Sequence, residues 1–183
     1  MELIYKKGDL FDELAKIRTY STSKMGLSKP DAIAHACNAK GVWGSGFAKQ
    51  CKEKAPDAYE VYRDYCIGTK FDDYKKNVLD SMDIRGTCLL TSSKLGPEIA
   101  SLITSDGYGK FVDPVKDILA YTYHSVLEML SLVNRGVIIW SPKINSGFFG
   151  VPWERTEEII KIACKDFQST EDLSIQWVVW ELK

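Results

Sequence analysis

Two short stretches hold most of the residues able to do chemistry on a phosphorylated ligand. One reads AHACNAKGVWGSGFAKQ and places His35 and Asn38 at the end of an apolar run, ahead of Gly41, Gly44 and Gly46. The other reads SPKINSGFFGVPWE, from Ser141 to Glu154, with Asn145, Ser146, Gly147 and Gly150. Glycine lets backbone N–H groups crowd a ligand and take positive φ. A following helix adds oriented N–H donors and a partial positive charge at its start. Each stretch can therefore hold phosphate without Lys or Arg. The GxxGxG spacing of the first matches neither a P-loop nor a dinucleotide fingerprint, which disfavours both readings. A glycine turn that serves tight packing alone is the plainer reading of either loop; two such loops in one chain are more specific. Phe148 and Phe149 make poor surface residues unless they pack on something, and filling the core is the alternative for both.

His35 is the sharpest candidate for catalysis. An imidazole titrates near neutral pH and can move a proton to or from an attacking water or a leaving oxygen, typically contributing about 10²–10⁴-fold. In an apolar strand, a satisfied core histidine is the alternative. The neighbouring Asn38 and glycines favour the functional reading. His124 stands on an amphipathic helix without such surroundings and reads as structural.

The elements that must position these loops follow from hydrophobic pattern and from breakers. Leu3 to Lys6 reads as a strand, then Leu10 to Ile17 as a short helix with Asp9 at its N-cap. Residues 18–30, rich in Ser, Thr, Lys, Gly and Pro, read as a surface loop. Ala32 to Ala36 fits a buried parallel strand. Phe47 to Lys54 reads as a helix ending before Pro56, and Pro56 opens another with Tyr59, Tyr62 and Cys66 on one face. Residues 67–84 read as a loop. Thr87–Leu90 and Ile99–Thr104 read as strands joined at Gly96–Pro97. A long helix spans about Pro114 to Asn134, with Asp113 as cap, Pro114 at the first helical position and Gly136 after it. A strand at Val137–Trp140, a helix from Pro152 to about Phe167 and a strand at Ile175–Leu182 complete the chain. Such alternation predicts an α/β fold, a mixed sheet with helices on both faces. Ligands in such sheets bind beyond the carboxyl ends of the strands, where loops 37–46 and 141–151 stand.

Composition removes several function classes. The chain has 183 residues, with 24 Lys and Arg against 25 Asp and Glu, a formal charge of −1. That length suggests one domain, residues 1–183, with a core that needs no disulfide or metal staple. The charge balance argues against a partner that is a long nucleic acid. No apolar run approaches a membrane span, and the polar, acidic N-terminal stretch does not resemble a targeting peptide. The five cysteines, Cys37, Cys51, Cys66, Cys88 and Cys164, form no CxxC pair, so reduced thiols in a cytoplasmic or nuclear setting are expected. No cofactor and no metal site is expected, and a monomer is.

These residues resemble a family. GDL at 8–10, HACN at 35–38, GSGFA at 44–48, PKINSGFFGVPW at 142–153 and the VVWEL ending are similar to macrodomains, the fold that binds ADP-ribose. The resemblance covers nearly the whole chain and implies a three-layer α/β/α sandwich around a mixed sheet. HxCN and GxWGxGxA joined to INSGxFGVPW are most similar to fungal ADP-ribose 1″-phosphate phosphatases, which act on a by-product of tRNA splicing. Carried over residue by residue, the resemblance gives Asp9 and the Leu10 amide to the adenine. Asn38 goes to the distal ribose. Gly44, Ser45, Gly46 and Phe47 lie along the distal ribose and pyrophosphate. Loop 146–150, with Ser146, Gly147, Phe148 and Gly150, cradles the pyrophosphate through backbone N–H groups, Asn145 before it is a further substrate-binding residue, and Phe149 stands near the distal ribose. Trp180 stands beside adenine or, alternatively, is a large core residue. His35 replaces the first Asn of the family's NAAN.

A related macrodomain group removes ADP-ribose from glutamate esters with a Lys and an Asp. Here Ser105 and Phe149 stand at those places, so that chemistry is not expected. Asp106 is a spare carboxylate near the same strand end, read either as a turn residue or as a group that orients water or His35. The expected activity is hydrolysis of the terminal phosphate of ADP-ribose 1″-phosphate, by direct attack of water or through a phosphohistidine. A mono-ADP-ribosyl-protein hydrolase and a non-catalytic ADP-ribose module remain the alternatives, the former with ADP-ribosylated proteins as partners.

Overall fold

The computed structural model describes residues 1–19, 28–68, 83–133, 137–171 and 174–182. Its six strands are β1 (Glu2–Lys7), β2 (Ala32–Asn38), β3 (Cys88–Thr91), β4 (Glu98–Ser105), β5 (Val137–Pro142) and β6 (Ile175–Glu181). They form one sheet in the order β1-β6-β5-β2-β4-β3. Every neighbouring pair is parallel except β3 with β4. The carboxyl ends of β1, β6, β5, β2 and β4 therefore share one edge, and the loops that leave them stand side by side.

Period-two alternation splits the core into two layers. Ile33 and Cys37 of β2 pack with Leu10, Leu14, Trp43 and Tyr62. Those partners come from α1 (Leu10–Thr19), the loop after β2, and α3 (Pro56–Ile67). Ala34 instead packs with Val126, Met129, Ile160 and Cys164, on α4 (Val115–Leu132) and α5 (Trp153–Thr170). The α/β/α sandwich expected from the alternating pattern is the observed architecture.

Asp9 caps α1 as its position predicts, its Oδ1 accepting the Phe11 and Asp12 amides at 2.8 and 3.0 Å. The start of α4 differs. Pro114 is extended (φ −56°, ψ 145°) and precedes the first helical turn, and no side chain caps it. Asp113 is drawn away: its Oδ2 accepts the Asp106 amide at 2.7 Å and lies 3.5 Å from Arg85. The expected end of that helix, Asn134, and the following Gly136 fall outside the described residues, as do most of the expected loops 18–30 and 67–84.

Candidate active site

The loops after β2 and β5 face each other across a cleft of about 770 Å³, within the usual size of a small-molecule site. Each is held by an asparagine at its root. Asn38 Oδ1 accepts the Lys40 and Val42 amides at 2.9 and 3.3 Å, and its Nδ2 donates to the Val42 carbonyl at 2.6 Å. The Tyr62 hydroxyl of α3 donates to the Asn38 carbonyl. Gly41 then turns with φ +69°, and a Cβ there would sit 3.3 Å from the Arg63 backbone and the Cys66 Cβ. Only glycine suits both the φ and the space. The loop delivers Gly46 to the start of α2 (Gly46–Lys54).

Asn145 takes the left-handed conformation itself, with φ +63°, one that Asn tolerates better than most side chains. The residue is 4% exposed, and its side-chain amide reaches two other elements. Oδ1 accepts from the Thr104 hydroxyl of β4, and Nδ2 donates to the Thr122 hydroxyl of α4, both at 2.8 Å. Thr122 passes its own proton to the Ile118 carbonyl at 2.6 Å. The loop closes where the Val151 amide donates to the Asn145 carbonyl and Gly150 to Gly147.

These anchors leave backbone donors free. Among the described residues, the amides of Gly46, Phe47 and Ala48 at the start of α2 have no acceptor. Neither do those of Gly147, Phe148 and Phe149 in the opposing loop. No acidic residue stands in the first turn of α2, so its partial positive charge is uncompensated. Gly46, with φ +55°, lies under the Phe148 ring, which a Cβ would approach at 3.7 Å. Phe148 is 69% exposed and does not fill the core. Phe149, half-buried, packs on Ile118, Leu119 and Val151.

His35 lies in the floor of the cleft. It points to the same side as Ile33 and Cys37. Trp43 meets it edge-on at 4.7 Å, Phe47 lies at 5.8 Å, and the Cys37 thiol is 3.6 Å from Nδ1. Burial in this aromatic cage lowers the imidazole pKa from 6.5 to about 4, against a small opposing effect of the Ala36 backbone. The free protein therefore carries His35 uncharged at neutral pH. Burial also pushes the Cys37 thiol well up, which makes it a poor nucleophile.

A smaller recess of about 140 Å³ continues from the cleft between the β1 and β6 ends, lined by Gly8, Asp9, Leu10, Gln50 and Trp180. Trp180 walls both spaces while packing on Trp140 at 5.0 Å, so it is core and cleft at once.

No model of a known protein family matches the chain. Curated relatives do. A Debaryomyces hansenii protein named ADP-ribose 1″-phosphate phosphatase is 36% identical over 85% of this chain and 90% of its own. A Lodderomyces elongisporus protein of the same name is 34% identical over 91% and 96%. The chain belongs to the ADP-ribose 1″-phosphate phosphatase family. Its fold is that of a macrodomain. The macrodomain of Mycobacterium tuberculosis DarG superposes with a TM-score of 0.65 at 19% identity, covering 97% of this chain and 96% of that one. Thermosipho africanus DarTG, solved in complex with ADP-ribose, gives 0.59 at 15% identity, with 98% of this chain on 42% of that one.

In this member of the phosphatase family, the cleft gathers His35, Asn38, residues 44–47, residues 145–149 and Trp180. Asp9 and Leu10 line the recess, and Gly150 shapes its loop from behind. Asp106 does not line the cleft; its Oδ1 pairs with Lys40 at 2.8 Å. Ser105 is buried and its hydroxyl accepts the Asp113 amide at 3.0 Å. Wall residues not named as site residues from the sequence include Tyr108, Lys143, Glu181 and Leu182. Lys143 and Glu181 pair at 2.8 Å across the β5 and β6 ends. Their shared position at strand ends beside the two loops was the available signal. Among the described residues, no helix is long and apolar enough to cross a membrane.

Proposed function

We propose that this protein removes the terminal phosphate of ADP-ribose 1″-phosphate, releasing ADP-ribose and inorganic phosphate. The observation that carries the reading is the pair of opposed, free amide sets over His35, in a chain of this family. The strand order supports one layout of the ligand. Adenine enters the recess beside Asp9, the Leu10 amide and Trp180, over β1 and β6. The pyrophosphate spans the loop after β5, and the distal ribose and its phosphate reach the loop after β2 and the side chain of Tyr108 beyond β4.

Phosphoryl transfer needs little beyond positioning and charge stabilisation. The water oxygen attacks phosphorus, the bond from phosphorus to the ribose 1″ oxygen breaks, and that oxygen takes a proton. Free amides from both loops stabilise the phosphoryl oxygens. His35 accepts the proton of the attacking water. Burial makes it a weak base in the free protein, and a phosphate dianion beside it favours the imidazolium and opposes that burial. Asn38 and Asn145 act by holding the loops that carry the donors. One chain supplies the whole cleft, so a monomer suffices, and its five free thiols fit a reducing cytoplasm or nucleus.

The test is to incubate the purified protein with ADP-ribose 1″-phosphate and, separately, with a mono-ADP-ribosylated protein, following phosphate and ADP-ribose. Phosphate release from the first supports the reading. ADP-ribose release from the second alone would replace it with a protein hydrolase. Tight ADP-ribose binding with neither product would make the protein a non-catalytic module.

A further inference from the structure

Among the described residues, the side-chain polar atom that reaches the His35 imidazole is the sulfur of Cys37. It lies 3.6 Å from Nδ1 and 3.7 Å from Nε2. Two such distances cannot be met in the plane of the ring, where the sulfur would press into the carbon between the nitrogens. The sulfur therefore bears on the face of the imidazole, and neither ring nitrogen points at it.

Three groups hold that sulfur and decide what it shows the ring. The Trp43 indole N–H donates to it at 3.2 Å. The thiol hydrogen has two acceptors away from the ring. One is the His35 carbonyl at 3.9 Å. The other is the hydroxyl of Ser101, the register partner of His35 on β4, which is fully buried beside the thiol and has no other partner among the described residues. With one lone pair on Trp43 and the hydrogen turned away, the remaining lone pair of a soft, polarisable atom faces the imidazole. A neutral ring gains little from it, and an imidazolium gains more. No charged side chain among the described residues competes: burial and the Ala36 backbone act on His35, and burial keeps the nearby Cys51 and Cys66 thiols neutral.

We propose that Cys37 is a positioning residue for His35: its sulfur fixes the plane of the ring that lines the cleft and stabilises the imidazolium formed when His35 takes the proton of the attacking water. This role rests on the reading of His35 as that base.

A double-mutant cycle on phosphate release from ADP-ribose 1″-phosphate tests it, with Cys37→Val made in the parent and in His35→Ala. Val fills the space with methyl groups and has no lone pair. In the parent background kcat falls about fivefold, within the range of one sulfur–ring contact, and KM changes little. The acid limb of the kcat–pH profile, set by protonation of His35 in the complex, moves to lower pH by the same factor, because a less stabilised imidazolium has a lower pKa. In the His35→Ala background the same substitution changes nothing further. If thermal melts show that Cys37→Val is unfolded, Cys37→Ser is read in the same way: its oxygen still accepts the Trp43 N–H, and its shorter bond withdraws it from the ring. Parental kcat and an unmoved acid limb in the folded variant would overturn the role of Cys37. So would an equal fall in both backgrounds, which would make the residue a mere core filler. Those results leave His35 as the base. Parental kcat in His35→Ala alone would remove that reading and Cys37 with it.

Discussion

The loops after β2 and β5 look alike in sequence, and they are built by different means. Both leave a parallel strand, carry an asparagine at the root and glycines at the bend, and lead into a helix. In the first, Asn38 folds the loop onto itself: three of its side-chain bonds go to backbone within four residues, and a fourth, at 3.4 Å, comes from the Tyr62 hydroxyl of α3. In the second, Asn145 ties the loop to β4 and α4 through Thr104 and Thr122. The first is thus a local turn resting on α3, and the second is fastened into the core between sheet and helix. Each asparagine is consumed by structure, and the two loops expose backbone amides that have no acceptor among the described residues.

The largest effect should come from the fastened loop. Asn145→Ala removes two buried hydrogen bonds, strands the Thr104 hydroxyl and puts alanine at positive φ. A loss of about 3–4 kcal/mol is expected in denaturant unfolding. Asn38→Ala, whose bonds run mostly to backbone of its own loop and which sits at negative φ, should cost about 1–2 kcal/mol. The reverse ranking would break the distinction between the loops.

Acid should loosen the first loop, since His35 lies at its root. In the unfolded chain the imidazole binds a proton near pH 6.5, while in the folded protein it does so only near pH 4. Between those values the unfolded state holds more protons, so stability is full above about pH 6.5 and falls as pH drops toward 4. The loss amounts to about 3 kcal/mol. Unfolding curves of the parent and of His35→Asn from pH 7 to 4 check this. A parent whose stability is as flat as the variant's would show that His35 is not held neutral.

Smaller effects separate the glycines. Gly41→Ala meets both a positive φ and the Arg63 backbone at 3.3 Å, and should cost about 2 kcal/mol. Gly147→Ala meets nothing within 4 Å and has no positive φ, so a change within about 0.5 kcal/mol is expected. Equal melting-temperature shifts for the two would mean that the loops are held alike.

Legibility in the sequence followed the range of the interactions. The alternation of apolar runs and the Pro and Gly breakers placed the strands and helices, and Asp9 declared its cap because capping is local. Asp113 did not, because its carboxylate is claimed by Asp106 and Arg85. The two glycine loops were legible as neighbours at the carboxyl ends of the strands, where they line one cleft, and so was His35 as an odd residue in an apolar strand. The neutral state of His35 was hidden, since the cage needs Trp43 and Phe47 folded back over β2. The work of Asn145 was hidden for the same reason, with partners that lie 41 and 23 residues away. Lys143 and Glu181 met only when β5 and β6 paired.

The central claim is that a caged, neutral His35 moves a proton for a phosphate held by backbone amides. Steady-state phosphate release from ADP-ribose 1″-phosphate, measured for the parent and for His35→Ala, tests it most directly. The account predicts turnover by the parent and a fall in kcat of about 10²-fold or more in the variant, with KM changed little. Phosphate release at the parental kcat from folded His35→Ala would contradict it.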